Sequence, residues 1–299
     1  MDNLALYRFK EKLFAHKTTA IFVLAIVLLL GGGVFASQAI FNKSNQQVGS
    51  EINISFDPEG AYALLYPRAD GNALVLDLKR TTSYDAISYE LAYTSLPDTT
   101  SSSKITMDEG NSGSIDRGVV GNIDVSERRG EYEQEILFGT CSKNVCKYDK
   151  GVENGTLTLH IRKGNKAYRM ITTWHLQKPD IALGNLVSGD THFNYQISDK
   201  ASLINTGFSI INDLTGAPKL PNDKQVLGTV YGLSVPIAKT LPTGNVTLEL
   251  AQNPPADAKL YKFNDSTSNW EELGTKIDGS TLSTSANGAG IFAVLTNKK

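Results

Sequence analysis

Four histidines, two cysteines and a scatter of carboxylates are the residues with which this chain could do chemistry. His16 lies in a basic N-terminal stretch, whereas His160, His175 and His192 fall in the body. His160 and His175 sit on successive alternating segments. With Asp190 and His192 they could compose a metal site if folding brought them together, and no local spacing joins them. Asp108, Glu109 and Asn111 offer the hard oxygens that calcium takes, without the alternating ladder and distal glutamate of an EF-hand loop. The segment Gly232-Leu233-Ser234-Val235-Pro236 fails as a nucleophile elbow at its last position. No Walker loop is present, and Gly288-Ala289-Gly290 precedes an apolar strand rather than a helix, so it is no dinucleotide turn. Carboxylates elsewhere lie in loops, where only folding can pair them as a glycosidase would. The chain therefore predicts no catalytic residue, no metal and no cofactor.

Cys141 and Cys146 are the two cysteines, in GTCSKNVCKYD. ILFG and KYD read as two short arms with SKNV as the tight connection, so a disulfide closing the base of a hairpin is expected. A redox pair of the thioredoxin kind has two intervening residues, and here there are four. A structural zinc site needs four ligands, and no second pair exists. Free thiols are the alternative.

The elements that must position these residues are strands. From Ile52 the apolar pattern has period two. Leu74, Leu76 and Leu78 share one face, as do Ile87, Tyr89, Leu91 and Tyr93, the mark of half-buried strands. Leu157, Leu159 and Ile161 form an apolar face with His160 pointing the other way. The Gly164-Asn165 pair then turns a hairpin into Tyr168, Met170, Thr172 and Trp174. The polar stretch 95–117 interrupts the rhythm and is expected to hold one short strand, KITM, between loops. Gln177-Lys178-Pro179-Asp180 reads as a domain boundary. Beyond it come HFNYQI, GFSIIND, QVLGTVYGLSV and NVTLEL, with a local helix allowed over Ile237 to Thr240. Tyr66, Tyr89, Tyr93, Tyr132, Tyr148, Tyr231, Tyr261 and Trp270 either form a binding platform for sugar or protein, or fill sandwich cores, where strands favour aromatics.

The 299-residue chain has a formal net charge of −2 and no basic stripe, which excludes a nucleic-acid partner. Ala20 to Ile40 carries no charge and is long enough to cross a bilayer as a helix. Arg8, Lys10, Lys12 and Lys17 precede it, which places the N-terminus in the cytoplasm and the body outside. A cleaved signal peptide ending at Ala36 is the competing reading. The resulting division is a cytoplasmic tail at 1–19, a transmembrane helix at 20–41 and a linker at 42–51. Two domains follow at 52–178 and 179–299.

The last forty residues carry an aromatic–turn–Trp hairpin, from Tyr261 and Phe263 to Trp270. A closing strand, Phe292-Ala293-Val294, ends the run. This scheme resembles the Ig-like β-sandwich modules of bacterial surface proteins, and LFGTCSKNVC is similar to their stapled hairpins. The resemblance implies an envelope scaffold or binding module and no catalytic residue. The expectation is an all-β chain: two antiparallel β-sandwich (Ig-like) domains after one N-terminal transmembrane helix, held to the lipid bilayer by that helix. Its body meets a protein or glycan ligand outside the cell. An envelope hydrolase with a site assembled from distant loops is the alternative.

Overall fold

The computed structural model describes residues 51–97, 114–143, 145–199, 203 and 205–298. The expected tail (1–19), the expected span (20–41) and all of the linker but Glu51 lie outside the described residues. So do the expected strand at 104–107 and the calcium candidates Asp108, Glu109 and Asn111. Among the described residues there are twenty strands and no α-helix, and no helix is long and apolar enough to cross a membrane.

The period-two segments become strands where the alternation placed them. The first half runs β1 (Ile52–Ile54), β2 (Tyr62–Pro67), β3 (Ala73–Lys79), β4 (Ala86–Ser95) and β5 (Ile115–Ile123). It continues through β6 (Glu131–Leu137), β7 (Gly139–Ser142), β8 (Val145–Tyr148), β9 (Asn154–Lys163) and β10 (Lys166–Gln177). The β9–β10 turn is the expected two-residue one: Lys163 pairs with Lys166, and Gly164 takes a φ of 59° that L side chains rarely adopt. The second half runs β11 (Asn185–Val187), β12 (Phe193–Ile197), β13 (Ser209–Leu214), β14 (Lys224–Ser234) and β15 (Thr243–Glu249). It ends with β16 (Lys259–Asn264), β17 (Asn269–Glu272), β18 (Lys276–Asp278), β19 (Thr281–Asn287) and β20 (Gly290–Asn297). No helix forms at 237–240. Lys239 N–H donates to the Pro236 carbonyl and Ala238 turns to a φ of 67°, because a stretch pinned between Pro236 and Pro242 is too short to nucleate a helix.

The strands build one large sheet in the order β17-β16-β20-β14-β13-β10-β9-β4-β5, with β1 added in parallel against β10. Smaller sheets are β11-β12-β15-β19-β18, β2-β3-β6 and the β7-β8 hairpin. All their pairings are antiparallel. The large sheet runs straight through the segment read as a boundary: β10 pairs with β13 from Trp174↔Asn212 to Gln177↔Ser209. What changes there is the core. Leu74, Leu91, Leu159, Trp174 and their neighbours form one cluster up to Leu176, joined by Ile210. Leu186, Phe193, Tyr195, Ile211, Tyr231 and Phe292 belong to another.

Ile210 and Ile211 are consecutive on β13, so their side chains leave opposite faces of the large sheet. Both are fully buried. One face is covered by β2-β3-β6 and the other by the five-stranded sheet. A third cluster lies on the first of these faces, where Tyr62 and Leu64 of β2 meet Leu214, Val230, Tyr261, Trp270 and Ile291. The strand β2 thus lies across both halves of the large sheet. Its seat there is polar as well as apolar: Asn212 Nδ2 donates to the Ala63 carbonyl at 2.9 Å, and Thr215 Oγ1 donates to the Ala61 carbonyl at 3.1 Å. Replacing Asn212 by alanine leaves a buried carbonyl without a donor, which costs about 1–3 kcal/mol. Asn212→Ala is therefore expected to lower the unfolding free energy by that amount, seen as a lower urea midpoint with an unchanged slope.

Candidate functional site

An aromatic ladder leads from the first core to the end of the large sheet. Trp174 stacks on Phe138 with centroids 5.7 Å apart, and Phe138 meets Tyr93 edge-on at 4.9 Å. Gly155 makes room for the indole: a Cβ there would lie 2.3 Å from Trp174 Cζ2 and 2.2 Å from the Ala92 carbonyl. At the ladder's outer end Tyr93 donates its hydroxyl to Asp149 Oδ2 at 2.9 Å, and Arg117 Nη2 lies 3.4 Å from Asp149 Oδ1. Burial and the neighbouring Asp149 carboxylate hold the Tyr93 phenol protonated well above the ordinary tyrosine range. Three elements converge here: the end of β4 through Tyr93, the start of β5 through Arg117, and the segment after β8 through Asp149.

Three open clefts meet around this group. The first, of 520 Å³, is lined by Asp149, Lys150, Glu153, His175, Lys178 and Phe208 among others. A second of 690 Å³ lies between Arg117–Val119 and the β7–β8 hairpin. The third, of 670 Å³, is bounded by Arg117, Gly155, Thr156, Thr173 and Asp190. The wall of the second cleft is the stapled hairpin: Cys141 and Cys146 stand opposite one another on β7 and β8 and are disulfide-bonded. Its root is fixed by the Tyr148 ring, which takes the Arg68 guanidinium at 5.5 Å, and by Asp149 N–H donating to the Phe138 carbonyl.

The other sequence candidates do not converge. His160 Nδ1 sits 2.7 Å from Glu51, His175 Nδ1 sits 2.7 Å from the Val187 carbonyl, and His192 lies 3.5 Å from Asp190. His160 pairs with Arg169 in the ladder, about 20 Å along β10 from His175 at strand spacing. Among the described residues no group of three or more His, Cys, Asp or Glu is placed to hold a metal ion. Of the eight aromatics, Tyr89, Tyr93, Tyr231, Tyr261 and Trp270 are buried, and Tyr66, Tyr132 and Tyr148 are half-buried. All but Tyr148, which lines a cleft against Arg68, belong to or pack against the cores.

One pair of carboxylates was not foreseen. Asp213, on β13, accepts from the Thr173 backbone N–H and from its hydroxyl at 3.1 Å. Asp190, in the β11–β12 turn, accepts from Tyr231 at 2.7 Å, from Ser188 at 2.5 Å and from the His192 backbone at 3.1 Å. Burial pushes the Asp213 carboxyl up to about 6 against its bonds to Thr173. Asp190 moves the other way: burial alone would raise it, but the donated hydrogen bonds hold it below its ordinary value. Sequence reasoning also missed Asp149 and Gly155 as site residues. A glycine opening a strand is a signal of close approach, but nothing local marks Asp149. No protein-family model and no curated protein matches the chain, so the site is defined by this geometry.

Two outcomes follow. The staple closes so short a loop that the chain-entropy model gives about 2 kcal/mol; a Cys141→Ser/Cys146→Ser variant should lose about that much stability and keep the far-UV spectrum of a β protein. Asp213 has a folded pKa above its unfolded value of about 3.9, so the folded state holds the extra proton between the two. Its contribution to stability therefore rises as pH falls from about 7 through 6 and is complete below about 4. Asp213→Asn should remove that rise, seen as a flatter curve of melting temperature between pH 4 and 7 than the parent gives.

Proposed function

We propose that this chain is a single-pass membrane protein of the cell envelope, N-terminus inside, whose β-rich body outside the membrane is structural or binding and not catalytic. The observation that carries the binding reading is the meeting of three open clefts around the braced Tyr93–Asp149–Arg117 group, with a disulfide stiffening one wall. Rigid walls limit the ordering cost of association. The membrane part is supported by the uncharged run from Ala20 and the basic residues before it. The disulfide fits an oxidising compartment outside the cytoplasm.

The two sandwich modules of this reading, 52–178 and 179–299, are supported by the change of core beyond Leu176, and they share one sheet. The likeness to bacterial surface modules is supported by the Phe263↔Trp270 hairpin, whose rings meet edge-on at 5.5 Å. Such folds host many functions, so the likeness assigns none.

The second reading, an envelope hydrolase, draws on the carboxyls of Asp213 and Asp190, which are pushed in opposite directions as an acid and its partner base would be. Against it, Asp190 and Asp213 already accept from groups of the chain itself.

In intact cells the protein should stay in the membrane pellet through an alkaline carbonate wash. Cys141 and Cys146 should react with a maleimide only after reduction. Release by carbonate, or labelling without reductant, would overturn the compartment. Crosslinking in cells followed by mass spectrometry should name a neighbour attached through residues lining the clefts; crosslinks confined to other surfaces would overturn the binding site.

A further inference from the structure

Free strand edges invite pairing, and folded sheets protect them by shortness, charge or cover. Among the described residues this chain protects nearly every edge. At one end of the large sheet β17 has four residues and closes on Glu271 and Glu272. The edges β11 and β18 have three residues each. The edge β6 carries Glu131, Glu133 and Glu135. The edge β2 is mostly buried, with nearby carbonyls taken by Asn212 and Thr215.

The other end of the large sheet, β5, differs. It is nine residues long and pairs with β4 along its whole length on one side, and among the described residues no strand lies on the other. Its charges, Asp116 and Arg117, come at its start, and Gly118 to Asn122 carry none. It has no proline. A Cβ at Gly118 would meet nothing within 4 Å, and Val120 is 77% exposed.

The 690 Å³ cleft runs beside Arg117–Val119 and is bounded across from them by the stapled hairpin. Its lining sets Arg117 and Lys150 against Asp149, and Asp149 is already engaged by Tyr93 and Arg117. On a chain of net charge −2 this is a local excess of positive charge. We propose that β5 accepts an added strand from an acidic, extended segment of a partner protein, with the segment's carboxylates facing Arg117 and Lys150. Main-chain hydrogen bonds to the free edge supply affinity, and the charged cleft supplies selection. A second copy of β5 would bring one acid and one base, which this lining does not select. An anionic polysaccharide would satisfy the charge but offers no strand edge. The inference rests on the binding reading above and names the partner's chemistry.

The test uses the full chain in detergent with a labelled nonapeptide of alternating Val and Glu. The counterparts are an alternating Val and Lys peptide, the Val/Glu peptide N-methylated along one edge, and polygalacturonate. The Val/Glu peptide should bind at least tenfold more tightly than the Val/Lys peptide. It should slow amide exchange across 115–123, and it should lose binding when N-methylated. Lys150→Glu should cut the preference for the Val/Glu peptide at least threefold while the melting temperature stays near the parent's. Binding should persist when residues 98–113 are replaced by a Gly-Ser linker.

Equal binding of the two charged peptides, or no change in exchange at β5, overturns the proposal. So does binding that is matched by polygalacturonate or lost with the linker. Protection of β5 that grows with protein concentration alone also overturns it, in favour of a second copy. If the peptides fail while crosslinking in cells names a neighbour at the other two clefts, this proposal falls and the binding reading stands. If both fail, both fall.

Discussion

The structure depends on one strand, β13, that supplies a side chain to each of three hydrophobic clusters: Ile210, Ile211 and Leu214. β13 sits in the interior of the large sheet between β10 and β14, and its successive residues Ile210 and Ile211 feed opposite cores. A strand with a single buried face could feed a core on one side of the sheet only. β13 feeds cores on both sides, and through its pairing with β10 the halves of the chain share one ladder of backbone hydrogen bonds. The packing of β2 against β13 and β14 adds to this, since its Tyr62 and Leu64 share one cluster with residues of β13, β14, β16, β17 and β20. Relative motion of the two cores would have to break sheet hydrogen bonds, which makes the body a single lever rather than a hinged pair.

Rigidity has a local counterpart around the three clefts. Polar side chains there are tied to the chain itself. Tyr93 and Arg117 hold Asp149, Gln177 brackets the Val187 peptide at 3.0 Å through both its amide oxygen and its amide nitrogen, and Arg68 bridges Asp70 and Glu135. Groups so engaged keep the cleft walls fixed. Walls fixed in this way carry a smaller ordering cost for whatever the clefts take up.

Much of the fold was legible. Leu74, Leu76 and Leu78, or Leu157, Leu159 and Ile161, alternate without exception, and the period of two is a direct record of which side chains face a core. The staple and the Gly164-Asn165 turn were legible for the same reason: each is set within a few residues. The shared sheet was not. Gln177 to Asp180 has the composition of a linker, and it does turn the chain. The pairing of Gln177 with Ser209 nevertheless spans thirty-two positions, and no local pattern reports it. The aromatics illustrate the same limit. Alternation places Tyr89 and Tyr231 on a face, but only the arrival of another sheet decides whether that face is core or platform.

Taken alone, the sequence determined the β character, the hairpin with Cys141 and Cys146, the apolar faces and the uncharged N-terminal run, because each depends on residues within one or two turns of chain. Tertiary structure decided which strands became neighbours. It brought Tyr93, Arg117 and Asp149 together from three separate segments, pushed Asp213 and Asp190 apart in acidity, and left β5 bare while the other edges were blunted. These are properties of the distance between residues remote in sequence, set by how two cores share one sheet, and the order of the residues does not carry that distance.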